Sequence, residues 1–386
     1  MPHRLHVVLL VGSLAACGDN HSSTPSPEVD GGMQPDTELP PDAPLVGPVG
    51  ITFFDFSIAV DITPDGRYAV FEDISSKDAT VHIHDTFTGD TQLATAIGNP
   101  ARDLATGISA NGRISALYDE PVQAALWQQA TGWTMLGSPH ASGCGADEIS
   151  GAFDISADGH VAVGLAWNGC SATAFRWSDA GGTGAFVPLD PLGSSASSSP
   201  SSRATVVSDD GRIAAGFAQN DPIDRSPAVW NADGSGFLLD PTNTEVPGEV
   251  MSINADGSIV AGQLGPDGFV WTATSGMTAI TRLPDALPSD PVFPLAMTAD
   301  GAYVFGGLGD AFFSIPTAFV WSEAAGMRSV AAIAVANGIA LPDGMTLNSI
   351  LGASADGTVL IGTAMDADLA LKTFALRLPP TALATP

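Results

Sequence analysis

The chain has 386 residues, with 42 Asp and Glu against 13 Lys and Arg, for a formal net charge of −29. That balance argues against nucleic acid as a partner, because phosphate contacts need clustered Lys and Arg. Beyond the leader no stretch is apolar for the roughly 20 residues a membrane-spanning helix needs.

Residues 1–17 read as an export signal. Arg4 precedes an apolar run from Val7 to Ala16, which is too short to span a bilayer and fits the h-region of a signal peptide. The run ends Leu14-Ala15-Ala16-Cys17. Small residues before a Cys resemble the lipobox of bacterial lipoproteins. That resemblance implies that Cys17 becomes the mature N-terminus and carries acyl chains, two or more of which anchor stably. Residues 18–48 are rich in Pro, Asp, Ser and Gly, and cannot bury enough apolar surface to offset ordering entropy. They read as an extended tether. Residues 49–379 read as the folded domain, with 380–386 as a tail.

That domain repeats one phrase seven times: a short apolar strand, an Asp-Gly or Asn-Gly turn, and a second strand. The turns are Asp65-Gly66, Asn111-Gly112, Asp158-Gly159, Asp210-Gly211, Asp256-Gly257, Asp300-Gly301 and Asp356-Gly357. Their spacing of roughly 44–56 residues marks a blade-type array. Asp-Gly and Asn-Gly supply the positive φ that tight hairpins need. In the third unit the strands read Ala152–Ser156, His160–Gly164, Ala174–Trp177 and Ala185–Leu189, each about five residues. The second strand ends on Gly164, Gly216, Gly262, Gly306 and Gly362, but on Phe71 and Leu117 in the first two units. A Gly there predicts close backbone approach or a bend. The third strand ends on Trp127, Trp177, Trp230, Trp271 and Trp321. A residue recurring at one place in every unit predicts blade-to-blade packing rather than a ligand site.

Seven four-stranded units predict an all-β fold, a seven-bladed β-propeller of antiparallel blades. The last unit lacks a fourth strand and stops in Pro379-Pro380, while Val49–Phe56 is apolar and unassigned. That segment is expected to become the outer strand of the last blade. A solenoid would need capping units, and none is evident. The one predicted helix is Arg328 to Ala336, closed by Asn337-Gly338.

Two phrases carry a family resemblance: Ile155-Ser156-Ala157-Asp158-Gly159 with Val163-Gly164, and Ala318-Phe319-Val320-Trp321 with Gly326-Met327. They resemble the HAF-type extracellular repeat, and Gly326 to Leu378 resembles the terminal unit of such arrays. The likeness covers residues 57–378. The first unit departs, with Val81-His82-Ile83-His84 where others have Ala-Phe-Val-Trp. The resemblance implies secretion and a propeller-like fold, and it brings no catalytic residues.

Chemistry-bearing motifs are scarce. There is no Gly-x-Ser-x-Gly, His-Glu-x-x-His, phosphate loop or Cys-x-x-Cys, and no cofactor is implied. His82 and His84 share a strand face and are weak metal candidates beside the reading of a solvated edge. With Cys17 lipidated, Cys144 and Cys170 form an even pair in an oxidising compartment and are expected to be a disulfide. Candidate ligand contacts are residues that break the repeat. Trp133 and Trp167 are off the repeat positions, Trp167 in a loop beside Cys170. Asp221, Asp224 and Arg225 lie in a polar loop, and Phe312 and Phe313 in another.

Two functions from different classes fit. One is a monomeric, membrane-anchored lipoprotein, surface or periplasmic and expected at the outer membrane or cell surface, whose propeller binds a protein or polysaccharide without catalysis. The other is a secreted glycan hydrolase or lyase, which needs titratable groups converging on the axis. Asp61 and Asp154 occupy matching inner-strand positions, but the other units offer Gly107, Val206, Ser252, Ala296 and Gly352. That pattern favours the binding module. A purely structural role in the envelope is the third reading.

Overall fold

The computed structural model describes residues 47–74, 80–94, 104–119, 122–139, 149–167, 171–195, 200–243, 245–309 and 316–384. The expected signal, Cys17 and most of the tether therefore lie outside the described residues, as do Cys144, Cys170, Phe312 and Phe313. Within the described residues there are seven four-stranded antiparallel sheets and one short helix. The seven inner strands are Ile58–Ile62, Leu104–Ile108, Ile149–Ile155, Ser202–Val207, Gly248–Ile253, Val292–Met297 and Thr346–Ala353. Each lies against the inner strand of the next blade, and the seventh meets the first. The result is a seven-bladed ring around an axis.

Closure follows the expectation. Gly50–Phe54 pairs antiparallel with Leu371–Arg377, from Gly50 opposite Arg377 to Phe54 opposite Thr373. Blade 7 is thus built from both chain ends. Residues 380–384 of the expected tail pack on the ring: Ala382 and Leu383 are buried in the core of blades 6 and 7, and Arg328 Nη2 donates to the Leu383 carbonyl at 2.7 Å.

The hairpin turns work as their residues predict. The turn glycines have φ between 69° and 79°, a region closed to most side chains. A Ser or Thr two residues before the turn Asp or Asn donates its hydroxyl to that side chain in six blades, and Asn254 does so through its amide in blade 5. The turns also bond to one another. Ala110 N–H donates to the Ala157 carbonyl, Ala157 to Asp209, Asp210 to Ala255, Ala255 to Ala299, Ala299 to Ala355, and Ala355 to Pro64. The circle stops at Pro64, which has no N–H to give.

Each inner strand carries a β-bulge at an equivalent place, between Ala59 and Asp61 in blade 1 and between Ala152 and Asp154 in blade 3, and blade 7 has a second between Leu347 and Ser349. Opposite the bulge lies the second-strand glycine. A Cβ on Gly164, Gly216, Gly262, Gly306 or Gly362 would sit 1.8–2.2 Å from an inner-strand carbonyl oxygen. This is the close approach predicted. In blade 1 the position is Phe71. In blade 2 it is Ala116 rather than Leu117, because that hairpin closes one residue earlier: Ser109 N–H reaches the Arg113 carbonyl, a span of four residues where Ser156 reaches Val161.

The helix is Val330–Ala336, two residues shorter at its start than expected. Ser329 caps it by accepting from Ala332 N–H, and Gly338 follows at φ 80°. No helix among the described residues is long and apolar enough to cross a membrane.

Candidate functional site

Among the described residues, two carboxyl groups sit at matching places on the inner strands, and the Asp209 carboxyl is close enough for its charge to act on both. Asp61 and Asp154 each follow the bulge of an inner strand, in blades 1 and 3, with Gly107 of blade 2 between them. A Cβ on Gly107 would stand 2.9 Å from Asp154 Oδ1, so the missing side chain leaves the space that carboxyl fills. Both groups reach forward one blade. Asp61 Oδ2 accepts from Ile108 N–H at 2.9 Å, and Asp154 Oδ2 from Val207 N–H at 2.7 Å. Asp154 Oδ1 also accepts from Ile155 N–H at 2.7 Å.

Their protonation is shifted. Burial raises the Asp61 carboxyl to about 7, against the pull of the Ile108 and Ile62 N–H groups. Burial, then the charge on Asp61, raises Asp154 well above the ordinary carboxylate range. Asp209, in the turn of blade 4, is raised by burial and by Asp210. Each keeps some accessible surface, yet protein crowds them enough for desolvation to dominate. The described residues hold no group of three or more His, Cys, Asp or Glu able to bind a metal ion.

At the opposite end of the inner strands from the hairpin turns lies a buried ionic cluster. Arg203 Nη2 donates to Glu249 Oε1 at 2.5 Å, and Arg225 Nη1 donates to Glu249 Oε2 at 3.1 Å. Thr205 completes the contact with Glu249 Oε1. Arg203 lies over the Phe153 and Phe217 rings, and Arg225 over Phe217 at 4.7 Å. Arg203 and Glu249 are almost fully buried, while Arg225 keeps a quarter of its side chain exposed. A buried carboxylate needs such pairing to be tolerated. Glu249 and Arg203 gave no local signal in the sequence, since their partnership crosses a blade boundary.

The predicted polar loop is mostly strand. Ile213–Asn220 and Ile223–Asn231 form a hairpin whose loop is only Asp221-Pro222. Gln219 Nε2 donates to Asp221 Oδ1 at 2.8 Å, Asp224 is exposed on the returning strand, and Arg225 joins Glu249. The structure thus separates these three candidates. Trp167 is not in a loop: it ends the second strand of blade 3, opposite Ile149 and Ala172. Trp133 does occupy a repeat position. It pairs across strands with Trp127, as Phe186 pairs with Trp177 and Met327 with Trp321.

His82 and His84 share a face, but not a solvated one. His82 stacks on Phe56 at 4.4 Å, and His84 meets Phe54 edge-on at 4.7 Å. Thr80 and Thr91 bond to their ring nitrogens at 2.9 Å each. Burial lowers both imidazoles below their usual value. The pair packs the seam between the N-terminal strand and blade 1.

One feature escaped the sequence reading. A cleft of about 450 Å³ opens on the turn face between blades 4 and 5. Its aromatic walls are Trp271 and Phe237, with ring centroids 5.8 Å apart and planes tilted by 48°. Trp127, Trp177, Trp230 and Trp321 are buried, whereas Trp271 is half-open and Phe237 is 43% exposed. The recurrence of Trp in five units hid the one that differs.

No family model and no curated protein matches the chain. Solved structures do. The oligogalacturonate lyase of Vibrio parahaemolyticus aligns at 12% identity over 86% of this chain and 97% of its own, with a TM-score of 0.54. The Cps50 (Swd1) β-propeller domain of Myceliophteria thermophila aligns at 11% over 85% and 99%, with a TM-score of 0.53. What they share with this chain is the β-propeller. TolB from Acinetobacter baumannii aligns at 13% over 84% of this chain, with a TM-score of 0.42; this chain spans 64% of that one. Identities this low speak to fold alone.

Proposed function

We propose that this propeller is a non-catalytic binding module for a protein or polysaccharide, tethered to the bacterial envelope through an acyl anchor on Cys17. One observation carries the binding reading. The axial carboxyls act as clasps: Asp61 and Asp154 both bond to backbone N–H groups of the next inner strand. A carboxyl committed to holding blades together is poorly placed to move a substrate proton. Recognition then belongs to the faces, where loops and turns differ between blades. The leader and the likeness to HAF-type repeats support export, with the ring held off the membrane by residues 18–48.

A second reading has one observation in its favour. Asp61 and Asp154 are electrostatically coupled carboxyls with raised proton affinity, the property a general acid requires. A solved structure of similar fold is an oligogalacturonate lyase, which makes oligogalacturonate a natural probe. The full chain is incubated with oligogalacturonates and with neutral oligosaccharides, and products are followed by chromatography. The binding module releases no shorter products. Cleavage by the native chain, lost in both Asp61→Asn and Asp154→Asn, would replace the binding reading with the catalytic one.

A further inference from the structure

We infer that the cleft between blades 4 and 5 binds a neutral pyranose sugar, as one or two units of a glycan chain. The inference rests on the binding-module reading and names its ligand class.

The cleft departs from the repeat in the way a sugar site requires. At the equivalent positions of blades 4 and 6 the indole is covered and tied down: Trp230 Nε1 donates to the Asp190 carbonyl at 3.0 Å, and Trp321 Nε1 to Thr281 Oγ1 at 3.3 Å. Trp271 Nε1 has no bonding partner among the described residues, and its ring is half-open. Phe237 faces it from the outer strand of blade 4, Gly236–Leu238. Two aromatic faces beside a cleft offer the apolar, flat contact that the C–H face of a pyranose ring presents.

The rim supplies hydrogen bonds. Asn231, Ser258, Thr272 and Thr274 line the cleft. Asn231 gives its amide nitrogen to Ser235 Oγ at 3.0 Å, and its carbonyl oxygen has no partner among the described residues. With the indole N–H, the site presents donors and acceptors together, as the hydroxyl groups of a sugar do.

Charge selects the ligand. No lining residue is ionisable, in a chain whose formal charge is −29. Two turn carboxylates, Asp233 and Asp256, stand within two residues of lining positions, and bonds from Ser235 and Ser258 hold both below the usual carboxylate range. They stay ionised at any pH near neutrality. A uronate, sulfated or phosphorylated sugar would meet their field, whereas a neutral one would not. The volume suits a small ligand, at the lower end of ordinary ligand clefts. The floor is firm: a Cβ on Gly257 would lie 2.5 Å from the Ile213 side chain, so the two blades already touch beneath the opening. Such a site loses little freedom on binding.

Calorimetric titration of the full chain tests this, with cello-, laminari-, manno- and chito-oligosaccharides as neutral probes and oligogalacturonate as the acidic one. At least one neutral series binds, and oligogalacturonate neither binds nor competes. Phe237→Ala and Trp271→Ala each weaken the neutral ligand tenfold or more. Phe237 is exposed, so its variant keeps the native melting curve and separates ligand contact from folding. Failure of all four neutral series to bind, or affinity in both variants equal to that of the native chain, overturns the assignment. Binding of oligogalacturonate in their place overturns the neutral class while leaving a binding module standing. Cleavage in the product assay would instead remove the binding-module reading itself.

Discussion

A carboxyl group taken out of water holds its proton more tightly, and Asp61 shows the consequence for stability. Its folded value is about 7 against 3.8 for the free side chain. The native state therefore binds a proton that the unfolded chain has released. The associated stability is fully present below about pH 4 and is lost as pH rises through 7. Histidines held neutral and turn aspartates held ionised act in the opposite sense. The comparison with Asp61→Asn isolates the effect, since Asn can still accept from Ile108. Melting temperature measured from pH 4 to 7 falls for the native chain relative to Asp61→Asn. Parallel curves would show that Asp61 is ionised at neutral pH. Asp61 and Asp154 were legible as matched inner-strand positions, because a strand repeat places equivalent residues by counting alone. Their reach to the next blade, across 47 residues for Asp61 and 53 for Asp154, was not legible, nor was the openness of Trp271, because both depend on a neighbouring unit.

Strands and turns were the most legible elements. Asp-Gly and Asn-Gly mark the turn between the first two strands of all seven blades because the turn is local: the Gly alone takes the left-handed conformation, and the preceding Asp or Asn side chain accepts from a hydroxyl or amide two residues earlier. The N-terminal strand was legible by subtraction, since one blade lacked a strand and one apolar segment lacked a place. Its energetic role is clear in the structure. It covers the edge of Leu371–Arg377, where Phe374 and Leu376 are fully buried, and Phe54 and Phe56 pack against Phe71, His82 and His84. Deleting residues 1–56 uncovers that edge and opens the ring. The truncated chain is expected to melt about 5 °C lower, if a few kcal/mol of packing is lost from a domain of this size, and to self-associate through the bare strand. Light scattering and a thermal scan beside the full chain check both; a monomer with the native melting temperature would deny the closure its role. The segment after Pro379, read only as a tail, packs through Ala382 and Leu383 on a hydrophobic site in blades 6 and 7 that no local pattern announces.

At the scale of the molecule the ring shares its core between units. Val161 and Val163 of blade 3 pack with Trp230 of blade 4, and Ala59 and Phe71 of blade 1 pack with Val359 and Ile361 of blade 7. The chain of turn hydrogen bonds joins the same neighbours, Ala157 to Asp209 and Ala355 to Pro64, and is open only between blades 1 and 2, where Pro64 has no N–H to give. A blade cannot unfold without exposing part of the next, so the ring is expected to melt in one transition. Indole fluorescence and far-ultraviolet circular dichroism should give coincident curves, and a separate early phase in either would show a blade that stands apart. The sequence by itself determined the hairpins, the number of blades and the glycines where strands approach closely. These follow from interactions between residues near in the chain, repeated seven times. Tertiary structure alone decided which Trp is left open, which carboxyls clasp the next blade and how Glu249 is paired. Those outcomes are set by contacts between units, and a repeat read along the chain says where equivalent residues lie but not what the neighbouring blade offers them.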